Sequence, residues 1–154
     1  MDIAIQQAFV REGFGESLQS LTPGSMAVWG KMNAQQMVEH VTGFFRVSTN
    51  QLHFPLVTPE ADLPKFKAFL LSDKMFRENT KAPVLPEEPL PTRLPDLPSA
   101  VAELQQAILH FFHFFEQDPL QTTQHPVFGD LNYEEWIRLH YKHVMHHARQ
   151  FSLI

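Results

Sequence analysis

Apolar residues recur three and four positions apart along most of this chain, and clusters of proline, glycine and aspartate interrupt the rhythm. That period predicts amphipathic helices rather than strands. The first helix runs from about Asp2 to Leu21 and stops before Thr22-Pro23-Gly24, with Ile3, Phe9, Val10 and Phe14 as its buried positions. The second starts at Asn33, which forms a capping box with Gln36 three residues on. It carries Met37, Val41, Phe44 and Phe45 on its inner stripe and ends near Leu52, before His53-Phe54-Pro55.

Pro64 to about Asn79 reads as an extra helix, with proline at its first turn and Phe66, Phe69, Leu70 and Met75 behind it. From Ala82 to Pro98, prolines at 83, 86, 89, 91, 95 and 98 forbid both regular helix and central strand. This stretch is an extended crossover laid over the surface. The third main helix spans about Pro98 to Gln117, where Val101, Leu104, Ile108, Phe111, Phe112 and Phe115 share a face. A turn-rich link holding His125-Pro126 and Gly129-Asp130 follows. Asn132 and Glu135 then form a second capping box, opening a last helix that reaches Leu153. No internal repeat and no alternating strand pattern is visible. The expected architecture is therefore all-α: one domain over residues 1–154, a four-helix bundle with a long proline-rich crossover between helices 2 and 3.

Composition narrows the function classes. At 154 residues with 44% hydrophobic and 19% charged side chains, the chain can bury a core of its own. A net charge of −5 speaks against nucleic acid as a partner. No apolar stretch approaches the roughly 20 residues that span a bilayer, and the run Phe111, Phe112, Phe114, Phe115 is broken by His113. Met1-Asp2-Ile3-Ala4 lacks the basic start and apolar centre of a signal peptide, so a cytoplasmic location is expected. With no cysteine, any metal must be held by nitrogen and oxygen.

Four of the nine histidines lie in the last helix. At about 100° per residue, His140, His143 and His147 fall in one sector with Trp136, while His146 points away from it. His143 and His147, one turn apart, can direct two imidazoles at one ion, with His140 and His143 as a rival pair. A third ligand must come from a facing helix, and His40 is the candidate there. Three protein ligands leave a coordination position for water or substrate, as in a reactive site. The same spacing also suits histidines that are merely hydrogen-bonded in a core. His110 and His113 read as boundary positions beside the phenylalanine stripe. His53 and His125 sit next to proline-containing turns, without assigned chemistry. Glu39 adjoins His40 and so points about 100° away from it, which leaves no carboxylate at an obvious general-base spacing.

Trp29 to His40, the link His125-Pro126-Val127-Phe128-Gly129, and Trp136 followed by His143-x-x-His146-His147-Ala148-Arg149-Gln150-Phe151 resemble the DinB superfamily, closest to its branch of small uncharacterised bacterial proteins. The resemblance covers most of the chain, and its signature is confined to the second and last helices. It implies a four-helix bundle whose metal is held by His40, His143 and His147, the last marked by Gln150 three residues on. Ala148-Arg149 stands where many members have Arg-Gly, and His146 is additional. His140 would be a pocket residue or one that supports the ligands. The resemblance further implies a divalent metal, zinc or nickel, and a metal-dependent thiol transferase or hydrolase acting on a small molecule such as a low-molecular-weight thiol. Homodimers are common in that superfamily. The competing expectation is a non-catalytic binding module whose metal site is structural or vestigial.

Overall fold

Five helices and one short hairpin build the chain, and the computed structural model describes residues 1–154. Helix α1 covers 3–20 in four pieces: α-helical Ile3–Ala8, a π turn over Phe9–Gly13, α-helical Phe14–Ser17 and a 3₁₀ end, Leu18–Ser20. Helices α2 (Ala34–Ser48), α3 (Leu63–Leu71), α4 (Leu97–Gln117) and α5 (Tyr133–Gln150) follow. Both expected capping boxes are formed, Asn33 with Gln36 and Asn132 with Glu135, so each side chain accepts from the other's backbone amide and two free N–H groups are satisfied at each start.

The expectation of an all-α four-helix bundle is corrected here. The extra helix expected from Pro64 is present as α3, which makes five helices rather than four, and between α4 and α5 the chain forms an unexpected antiparallel pair, β1 (Thr123–His125) and β2 (Gly129–Leu131), in the register Thr123 opposite Leu131 and His125 opposite Gly129. Strands of three residues are too short to display an alternating pattern. The turn between them is closed by a side chain instead: His125 Nδ1 accepts from the amides of Val127 and Phe128 at 3.0 and 3.3 Å. Gly129 permits the turn through a φ of 78°, which a residue with a Cβ rarely adopts. The hairpin is fastened to the helices by Thr123, whose hydroxyl donates to the Ser48 carbonyl and accepts from Trp136 Nε1 at 2.7 Å.

Three helix ends also differ from expectation. Helix α2 stops at Ser48 rather than near Leu52. The last helix stops at Gln150 because Ser152 turns left-handed, φ 55°, and the Leu153 amide closes back onto the Ala148 carbonyl at 2.8 Å, a Schellman-type termination. Helix α3 stops at Leu71, well before Asn79. There the buried Lys142 ammonium from α5 donates to the carbonyls of Ser72 and Lys74, which extends the backbone and ties it down.

A single cluster of 28 buried apolar residues links these elements, with α2 packed along α4 and α1 along α5. Phe45 meets Phe111 edge-on at 5.8 Å between ring centres, and the fully buried Trp136 stacks on His140 at 5.2 Å. No helix is long and apolar enough to cross a membrane. Helix α3, segment 72–96 and the hairpin loop face α2 and α5 across a half-open cleft.

Candidate metal centre

The histidine row of α5 follows from helical geometry: residues four apart stack on one face. His143 and His147 stand there with their Nε2 atoms 3.1 Å apart, and His40, on the facing side of α2, brings its Nε2 to 3.0 Å from that of His143. The three potential ligand atoms all lie within 4.8 Å of one another, close enough to hold one metal ion. His40, His143 and His147 are thus the three residues expected from the sequence, brought together. No aspartate, glutamate or further histidine joins the group.

The orientation of His147 is set by a chain of hydrogen bonds. The Trp29 carbonyl can only accept, so it fixes the Gln150 amide nitrogen toward itself at 3.0 Å. Gln150 Oε1 therefore faces His147 Nδ1, at 2.7 Å, and takes its proton. The lone pair of His147 is left on Nε2, aimed into the cluster. Trp29 is held in turn by its neighbours: the Val28 amide donates to the Gln150 carbonyl at 2.7 Å. Gly30 has φ 80°, and a Cβ there would meet Gln150 Nε2 at 3.0 Å.

The donor set fits a cation. His143 Nε2 offers one proton or one lone pair, so it can direct a good hydrogen bond at one neighbour and not at two. A divalent ion satisfies three lone pairs together. Two imidazole nitrogens on a tetrahedral zinc ion lie about 3.3 Å apart, close to the 3.0 and 3.1 Å found here. Burial also keeps the rings neutral, the form that binds metal. It pushes His40 down to about 4, with the neighbouring His146 adding to the effect. His143 and His147 are held well below the ordinary histidine range, first by burial and then by the neighbouring rings of the cluster.

The remaining histidines divide into structural and cleft positions. His140 is only 1% exposed. It stacks on Phe45 with ring centres 3.9 Å apart and lies 3.0 Å from Ser48 Oγ. Because the Ser48 hydroxyl donates to the Phe45 carbonyl at 2.6 Å, the His140 N–H must be the donor to Ser48. Burial lowers its pKa to about 3, and the same holds for His125. His125 stacks beside Phe44 at 5.8 Å, and Phe44 stands edge-on to His143 at 5.1 Å, so the hairpin supports the cluster from behind. Its neighbouring proline marked a turn in the sequence but carried no sign of this role. His146 lies on another face of α5, yet Trp29 and Phe76 cover it edge-on at 5.3 and 6.1 Å, so it too faces the cleft. Glu39 turns away as expected and accepts from the Arg93 amide at 2.8 Å.

The cluster opens onto a cleft of about 1830 Å³, which all three histidines help to line. A volume well above the ~300–1,000 Å³ of an ordinary ligand pocket marks it as a trough rather than a closed pocket.

Compared with known proteins, the chain matches one family model over residues 13–153, that of "Protein of unknown function (DUF1569)", and it belongs to that family. No curated protein and no solved structure matches it.

Proposed function

We propose, for this member of a family of unknown function, that His40, His143 and His147 hold one divalent metal ion, zinc or nickel, and that the protein is a metal-dependent thiol transferase or hydrolase acting on a small molecule. The observation that carries the proposal is the convergence of three Nε2 atoms from two helices at the wall of a large cleft. Such an ion supplies Lewis acidity, which makes a water or a thiol nucleophilic near neutral pH. The motif resemblance to the DinB superfamily supports the same three ligands and brings in thiol chemistry.

The surrounding residues have definable tasks in this scheme. Gln150 holds the His147 tautomer whose Nε2 is free for the ion. Phe44 braces His143 edge-on and is itself backed by His125. No fourth protein ligand closes the group, and a purely structural site would normally have one. The cleft therefore favours a reactive centre over the non-catalytic alternative.

The test is elemental analysis of the untagged protein beside a His143→Ala variant shown to be folded by circular dichroism. About one ion per chain in the parent and little in the variant is the expected result. Cobalt(II) should then report a changed visible spectrum when a small thiol is added. A parent that is metal-free and fails to take up zinc or nickel overturns the ligand assignment. A cobalt spectrum indifferent to thiols and other small ligands overturns the reactive centre and leaves a structural one.

A further inference from the structure

Charge is distributed unevenly over this acidic chain. Seven of its twelve Lys and Arg line the cleft, against four of its seventeen Asp and Glu, so the cleft has an excess of three positive charges while the rest of the chain has an excess of eight negative ones. Four of the seven cations are committed to carboxylates: Lys31 to Glu88, Lys81 to Glu87, Arg46 to Glu103, and Arg93 to Glu39 and Glu103. Lys65, Lys74 and Arg77 have no such partner.

Arg77 is the best placed of the three. Its carbonyl accepts from both the amide and the hydroxyl of Thr80, at 3.1 and 2.6 Å. On its other side Phe76 packs against Phe69 at 5.4 Å and against His146 at 6.1 Å, and Lys142 ties down the carbonyls of Ser72 and Lys74. Arg77, paired with no carboxylate, thus lines the cleft from a fastened backbone, one residue from a ring that packs against His146, the neighbour of His147. Glu78 is the nearest acidic residue in sequence and acts on His146, but it does not line the cleft. Between the cations the wall is apolar, lined by Phe44, Phe54, Phe66, Phe69, Phe76 and Phe128.

We infer that the cleft selects a small amphipathic anion, with its carboxylate or similar oxyanion on Arg77 and its apolar body along the phenylalanine wall. A planar guanidinium suits a two-toothed oxyanion, and a positive cleft with apolar sides concentrates field toward such a ligand. The inference names a substrate class for the centre proposed above and rests on that proposal for its chemistry, though not for the binding itself.

The test is calorimetric titration of the full chain with octanoate, octanamide and octylammonium, carried out metal-free in chelator and again with zinc. Octanoate should bind about tenfold or more tighter than the neutral and cationic chains, and Arg77→Ala should remove about tenfold of its affinity while leaving octanamide unchanged. Arg77 is exposed, so the variant should fold as the parent does, and Arg77→Lys should restore part of the loss. Octanamide or octylammonium binding as well as octanoate overturns the inference, as does octanoate binding that is indifferent to Arg77→Ala. If zinc fails to bind while octanoate selectivity persists in chelator, the inference stands and the metal proposal falls. If selectivity appears only with zinc and survives Arg77→Ala, the anion belongs to the ion, and the inference falls while the metal proposal stands.

Discussion

Mild acid should destabilise the metal-free protein far more than its exposed groups can account for. Six rings have pKa values depressed by burial: His40, His125, His140, His143 and His147, three of them to about 3 or 4 against the ordinary 6.5, and His146, whose shift Glu78 and the Phe76 backbone oppose and which is left out of the sum below. The native chain holds these rings neutral, whereas the unfolded chain takes up protons once the pH falls below about 6.5. Stability is therefore fully present above that value and is lost as the pH falls toward the folded-state values. Lowering the pH from 7 to 5.5 costs about 1.3 kcal/mol for each ring that stays neutral in the fold, or about 6 kcal/mol for five. That loss is comparable with the whole stability of a typical domain, about 5–15 kcal/mol. Carboxylates do not confuse the window, because the resolved shifts at Asp73, Glu87 and Asp96 are downward and titrate at lower pH. Urea unfolding in chelator, followed by helical circular dichroism at both pH values, measures the difference. A His140→Phe variant should reduce the pH dependence by about 1.3 kcal/mol. A difference below about 2 kcal/mol between pH 7 and 5.5 would refute the claim that these rings are buried and neutral.

Three further outcomes follow from named contacts. Gln150→Ala removes the acceptor that fixes the His147 tautomer; zinc affinity measured by chelator competition should fall about 10- to 100-fold with the fold retained, and an unchanged affinity would deny Gln150 this role. Ser48→Ala leaves the buried His140 N–H without its partner and should cost about 1–3 kcal/mol in urea unfolding, while zinc stoichiometry stays the same. Asn132→Ala opens the capping box of α5 and should cost about 0.5–2 kcal/mol, read as a lower thermal midpoint.

Much of the candidate centre was legible because it depends on local geometry. The spacing of His143 and His147 is a property of a single helix, and any fold that keeps α5 helical keeps them on one face. Both capping boxes were equally local, since each spans only four residues. Elements held by distant partners were not legible. The hairpin has three-residue strands, and it depends on the His125 ring capping its own turn and on Thr123 reaching Ser48. The backbone just beyond α3 is held by Lys142, whose ammonium comes from about seventy residues further along the chain.

The sequence alone determined the helical character of most of the chain, the starts of α2 and α5, and a paired histidine face without cysteine, because each rests on neighbours within a few positions. Tertiary structure decided what that face could do. Packing α2 against α5 set His40 at 3.0 Å from His143. The Trp29 carbonyl, through Gln150, selected the tautomer of His147. The charge of the cleft likewise emerges only when residues from 31 to 93 fold around it. A ligand set, a tautomer and an electrostatic surface are sums over residues far apart in the chain, and no local period encodes them.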